Sequence, residues 1–159
     1  MMIRSIKSSD MHELLALLEA TKLFESNDIE ELAKMLDLHF NNATDSQDVW
    51  LTDDDNGLVG VAYVAPERMA EGAWNLYLIA IHPDYQRQGR GASLLRYVEQ
   101  MLIKRNQRLL LVETSGLDEF EYVRTFYRQN GYKEEARIRE FYKAGEDKVI
   151  FRKMLRKDA

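Results

Sequence analysis

The chain has 159 residues, 45% of them hydrophobic, and carries 22 basic against 27 acidic side chains for a formal charge of −5. That length suits one domain, residues 1–159, around a single core. The acidic balance argues against a nucleic-acid partner, and no apolar run is long enough to cross a membrane as a helix. Cysteine is absent, which excludes a disulfide framework, a zinc–thiolate site and a cysteine nucleophile. The N-terminus lacks the charged-then-apolar pattern of a secretory signal, so a cytoplasmic protein is expected and the Asn42-Ala43-Thr44 sequon carries little weight.

Alternating residues over Ile3–Ile6 open the chain as a strand. Asp10 with Glu13 reads as a capping box, and Met11, Leu14, Leu15 and Leu18 recur at helical spacing up to about Lys22. Ile29, Leu32, Ala33, Leu36 and Phe40 mark a second amphipathic helix. Val49–Thr52 and Leu58–Val64 then flank Asp53-Asp54-Asp55-Asn56-Gly57, a hairpin signal. The three aspartates have neither the register nor the closing glutamate of a calcium loop, so they are read as a solvated turn, and no metal is expected. After a connection over Pro66–Gly72, Ala73–Ile81 forms a long apolar strand.

That strand leads into Gln86-Arg87-Gln88-Gly89-Arg90-Gly91-Ala92, and a helical run follows over Ser93–Lys104. A glycine-bearing turn between a strand and a helix N-terminus presents unpaired backbone N–H groups and partial positive charge, which suit a phosphate. No Gly-Lys-Ser/Thr follows, as a Walker loop requires, and the third glycine of a dinucleotide fingerprint is missing. Leu94, Leu95, Val98, Met101 and Leu102 line one helix face, and Leu109–Val112 is a buried strand. Strand, helix and strand make a crossover with parallel strands, whose carboxyl edge would carry the Gly89 loop together with Glu113, Thr114 and Ser115. A helix over about Asp118–Gln129 stops at Asn130-Gly131. Strands at Lys133–Arg139 and Lys148–Met154 close the chain around a turn at Ala144–Asp147.

Gln86, Gly89 and Gly91 after an apolar strand, with Phe126-Tyr127-Arg128-Gln129-Asn130-Gly131-Tyr132 downstream, resemble the two signatures of the GNAT superfamily of acyl-CoA-dependent N-acyltransferases. The likeness runs from Met2 to Leu155. It implies an α/β (α+β) fold: a mixed, twisted, largely antiparallel sheet of about seven strands with a parallel central pair, flanked by about four helices. It also implies acetyl-CoA as cosubstrate and a primary amine as acceptor, attacked directly in a ternary complex. A homodimer is a further expectation of the resemblance.

The resemblance assigns residues as well. Arg87, Gln88, Gly89, Arg90, Gly91 and Ala92 would surround the pyrophosphate, chiefly through backbone, with the side chain of Arg87, Arg90 or both adding a charge-assisted contact. Ile79, Ala80 and Ile81 would meet the pantetheine arm through main-chain hydrogen bonds. Tyr127 would protonate the departing thiolate, although Phe120, Val123 and Tyr127 also recur at core-packing spacing. Glu113, at the end of a buried strand, is the candidate base, directly or through water, with Glu67 and Glu71 in reserve. Many relatives carry an Asn shortly after the Glu113 strand. Here Ser115–Tyr122 occupies that region, and Thr114 or Ser115 would make the polar contact. Phe24, Met35 and Phe40, and the later Arg139 and Tyr142, read as packing or solvated positions more readily than as acceptor contacts. Two rival functions stay open: a noncatalytic acyl-CoA-binding regulator on the same fold, and a nucleotide-binding module using the Gly89 loop alone.

Overall fold

The opening alternation becomes β1 (Met2–Ser5) in a computed structural model that describes residues 2–41 and 47–155. The sequon at Asn42 lies outside the described residues. Helices α1 (Met11–Thr21) and α2 (Ser26–Phe40) follow as their spacing predicts. The expected Asp10–Glu13 capping box does not form. Asp10 instead closes a turn of 3₁₀ helix, accepting from the Lys7 amide at 2.7 Å and from the Arg4 guanidinium at 2.9 and 3.0 Å. Glu13 accepts from the Leu58 amide at 3.3 Å. A forked guanidinium is a stronger partner for a carboxylate than one helix amide, so Asp10 faces backward along the chain.

Strands β2 (Val49–Asp54) and β3 (Leu58–Pro66) pair antiparallel, with an irregularity at Asp53/Asp54. The turn between them is shorter than the sequence suggests. Asn56 and Gly57 take positive φ of 57° and 137° to make it, while Asp53 and Asp54 belong to β2. Asp53 is fully buried, which corrects the reading of all three aspartates as a solvated turn.

β4 (Ala73–Ile81) coincides with its expected span. α3 (Arg90–Lys104) begins ahead of Ser93, whose amide already bonds the Gly89 carbonyl at 3.0 Å. β5 (Leu109–Ser115) runs parallel to β4, from Ala73 opposite Leu109 to Leu76 opposite Val112, where the register ends although β4 continues to Ile81. A 3₁₀ turn (Asp118–Phe120) leads into α4 (Glu121–Gln129), and Gly131 at φ +90° turns the chain out of it. β6 (Lys133–Lys143) and β7 (Glu146–Met154) form a hairpin. Its register slips between Ile138 and Lys143, so the strand outlasts its expected end at Arg139. The seven strands make one mixed sheet in the order β1-β2-β3-β4-β5-β7-β6, and four α-helices occur among the described residues.

The chain divides into two compact units, Met1–Ala65 with Leu78–Val98, and Pro66–Tyr77 with Glu99–Ala159. In the first, Leu14, Leu17, Leu18 and Leu36 of the helices bury against Ile6, Trp50, Val61, Leu78 and Ala80. Phe24 and Phe40 pack on that cluster, while Met35 is partly exposed. In the second, Tyr127 packs edge-on against Tyr132 and tilted against Phe151, each with ring centres 5.8 Å apart. Leu102, Leu110, Val112 and Val149 are buried in the same unit.

Candidate active site

The first unit carries the glycine loop. Arg87 and Gly89 take positive φ, 62° and 78°, and nothing lies within 4 Å of where a Cβ on Gly89 would sit. Among the described residues the backbone N–H groups of Arg87 to Ala92 find no acceptor, the first bond of the helix being that of Ser93. The Gln86 side chain donates to the Ile81 carbonyl at 2.9 Å and ties the loop back to the end of β4. Gln88 donates to the Asp84 carbonyl at 3.4 Å. This open row of donors at a helix start is a cradle for an anion.

Arg90 is committed elsewhere. Its guanidinium donates to Asp53 at 3.2 Å and to Asp55 at 2.6 Å and lies 5.0 Å from the centre of the Tyr85 ring. It holds the Asp55 carboxyl below the usual range. Asp53 near the end of β2 and Asp55 just after it therefore anchor the first turn of α3, and the Arg90 side chain acts as a strut. Arg87 is exposed and makes no ion pair among the described residues.

The second unit gathers a polar group around Asn75, which is fully buried in β4. Its Nδ2 donates to Glu67 Oε1 at 2.9 Å and to Glu113 Oε2 at 2.8 Å. The other oxygen of Glu113 pairs with Lys148 Nζ at 2.8 Å, and that ammonium sits 3.6 Å from the centre of the Phe141 ring. The Tyr77 hydroxyl donates to Glu67 Oε1 at 3.2 Å. Burial first, then the Glu67 charge, pushes the Tyr77 phenol up to about 12. Burial, followed by Glu113 and Glu146, does the same for Tyr142. Of the two reserve carboxylates, Glu67 joins Glu113. The Glu71 backbone carbonyl accepts from Arg108 at 2.7 Å, and its carboxylate makes no hydrogen bond or ion pair among the described residues. Phe141 and Tyr142 lie on β6, which is exposed throughout as the solvated reading of this stretch expects, and Lys148 Nζ lies 3.6 and 6.0 Å from their ring centres.

Thr114 and Ser115 end β5 opposite Val149 and Lys148. The Ser115 hydroxyl accepts from the Leu117 amide at 3.1 Å. Buried Arg124 donates to the Ser115 and Leu117 carbonyls at 2.6 and 2.9 Å and so fixes the departure of this loop from the strand.

Tyr127 has a buried ring, against Phe126, Tyr132 and Phe151. Its hydroxyl makes no hydrogen bond among the described residues. It is also absent from the sealed, unpartnered polar atoms, which are Trp50 Nε1, Asp53 Oδ1 and Asn75 Oδ1. The phenol oxygen therefore reaches the surface of its packing. Burial makes the phenol harder to ionise than an ordinary tyrosine, so it keeps its proton at neutral pH.

Asn75, Lys148 and Arg124 were not singled out from sequence. Asn75 had a signal, as a lone amide inside the apolar run Ala73–Ile81. Lys148 had none, since its partner Glu113 lies on another strand; Arg124 had only the i,i+3 spacing to Glu121 in its own helix, with which it pairs at 2.7 Å.

Residues 45–134 match the family profile described as an acetyltransferase (GNAT) domain. A GNAT-family acetyltransferase candidate from Desulfovibrio desulfuricans superposes with a TM-score of 0.90 at 29% identity, over 98% of this chain and 99% of that one. An aminoglycoside 6'-N-acetyltransferase complexed with coenzyme A gives 0.78 at 16% identity, over 100% and 99%. The ribosomal-protein-S18-alanine N-acetyltransferase from Escherichia coli gives 0.76 at 22%, over 99% and 96%. The last two likenesses are of fold. Comparison with curated protein sequences yields no match. On its profile match and its seven-stranded sheet with a parallel β4–β5 pair, the chain belongs to the GNAT acetyltransferase family.

Proposed function

We propose that the protein is an N-acetyltransferase that moves an acetyl group from acetyl-CoA to a primary amine by direct attack in a ternary complex. The chain's own groups suit that cosubstrate. The unpaired N–H groups of Arg87, Gln88, Gly89, Arg90, Gly91 and Ala92 take the pyrophosphate, with the Arg87 side chain beside them. Ile79, Ala80 and Ile81, beyond the end of the parallel register, supply main-chain groups to the pantetheine arm as a neighbouring strand would. Thr114 and Ser115 add polar contacts. Bound acetyl-CoA supplies the acetyl group as a thioester.

The acceptor must lose a proton before it attacks, because an alkyl ammonium resembling lysine has a pKa of about 10.4. Glu113 takes that proton at a carboxylate oxygen, directly or through water. Tyr127 gives its hydroxyl proton to the departing thiolate. The observation that carries this reading is the Tyr127 phenol, buried at the ring and unbonded at the oxygen.

Acetyl-CoA-dependent thiol release, measured against a panel of small amines, amino acids and peptides with the acetylated product identified by mass, tests the reading. Release with one acceptor class supports it. Tight coenzyme A binding by calorimetry with no release from any amine turns the reading to a noncatalytic acyl-CoA binder. Preference for ATP over coenzyme A overturns the coenzyme assignment itself.

A further inference from the structure

Asn75 stands between two buried apolar neighbours, Trp74 and Leu76, and is itself fully buried. Its Oδ1 is sealed from solvent and accepts no hydrogen bond among the described residues. An orphaned carbonyl in that position weakens a fold. What the residue achieves is on its other atom, where one –NH₂ group donates a hydrogen to each of two carboxylates, Glu67 and Glu113. Two like charges drawn to a single amide would otherwise repel each other.

The two carboxylates are anchored differently. Glu113 has one oxygen on Asn75 and the other on Lys148. Glu67 has Oε1 shared by Asn75 and the Tyr77 hydroxyl, and its Oε2 takes no hydrogen bond among the described residues. The bridge thus fixes the orientation of both groups and leaves one carboxylate oxygen for a cation.

We propose that Asn75 is a positioning residue for the acceptor side of acetyl transfer, holding Glu113 to receive the proton and Glu67 to keep the incoming ammonium beside it. This rests on the acetyltransferase reading above. Stability lost at the orphaned Oδ1 is the expected trade for a geometry that function needs.

Two measurements on the intact protein test it. The first needs no substrate. In a ¹H–¹⁵N spectrum the Asn75 side-chain amide, assigned from its loss in Asn75→Ala, is expected to exchange slowly with solvent and to move in both Glu67→Gln and Glu113→Gln. An amide that responds to neither substitution overturns the bridge.

The second is steady-state kinetics with the amine found active. Asn75→Ala is expected to lower kcat by roughly 10²-fold, the cost of misplacing a reacting group, with the KM for acetyl-CoA unchanged. Combined with Glu113→Gln it should be no slower than the slower single variant. Glu67→Gln, a partly exposed and shape-preserving change that leaves folding intact, should raise the KM for the amine. An unchanged kcat in folded Asn75→Ala, or losses that multiply with Glu113→Gln, overturns the proposal alone. Full activity in Glu113→Gln overturns the base assignment on which it rests.

Discussion

The Tyr132 hydroxyl donates to Glu99 Oε2 at 2.7 Å, between two buried side chains. Lys153 Nζ donates to the other Glu99 oxygen at 3.1 Å and to the Asn130 carbonyl at 2.9 Å, but the lysine side chain is 31% exposed. Tyr132→Phe removes one oxygen and keeps the ring that packs against Tyr127. A hydrogen bond to a charged group contributes about 1.5–3 kcal/mol, and here its loss leaves a buried carboxylate oxygen unpaired. The lysine is solvated enough that Lys153→Met costs only about 0–1 kcal/mol. In a chain of this size each kcal/mol moves Tm by about 2–4 °C, so Tyr132→Phe should melt roughly 3–12 °C lower. Thermal unfolding by circular dichroism, with urea titration alongside, reads both variants. A Tm for Tyr132→Phe within about 1 °C of the parent, or a larger loss in Lys153→Met, would refute the reasoning that burial decides which partner of Glu99 matters.

Three further outcomes are expected. Arg4 holds the Asp10 carboxyl below its usual range, so its contribution is in place above the unfolded value of about 3.9 and is lost as pH falls through the lower folded value. Asp10→Asn should accordingly flatten the loss of stability below about pH 4 in a series of urea titrations. Gly89→Ala meets no neighbour and pays only for its φ of +78°. At about 1 kcal/mol of backbone strain it should raise the KM for acetyl-CoA by up to about fivefold without lowering kcat. Arg90→Lys cannot reproduce the fork onto Asp53 and Asp55, and should lower Tm and raise the KM for acetyl-CoA much as Arg90→Ala does.

Local pattern carried much of this fold. The apolar run Ala73–Ile81 is β4 to the residue, and Leu94, Leu95, Val98 and Leu102 are buried on one face of α3 as their spacing requires. The parallel β4–β5 pair followed from strand, helix and strand in that order. The misreadings concern charged residues whose partner lies outside the local pattern being read. Asp53 looked like part of a solvated turn because its partner, Arg90, sits at the start of α3. Asp10 looked like a helix cap because the spacing to Glu13 ahead of it was read and the partners behind it, Arg4 and the Lys7 amide, were not. The Gly89 loop was legible as a donor cradle, and Tyr127 as either acid or core. Sequence leaves those two roles open, and the unbonded oxygen of the buried ring is visible only once the fold is built. Glu113 was legible as a strand-end carboxylate, but its hold on Asn75 and Lys148 depends on register across three strands.

The measurement closest to the central claim is the turnover of Tyr127→Phe with saturating acetyl-CoA and the amine that supports release. A phenol that protonates the departing thiolate contributes as a general acid, so kcat should fall by roughly 10²–10⁴ while coenzyme A binding and Tm stay near those of the parent. A folded Tyr127→Phe protein that releases thiol at the parental rate would contradict the account, leaving Tyr127 a packing residue and the proton to come from elsewhere.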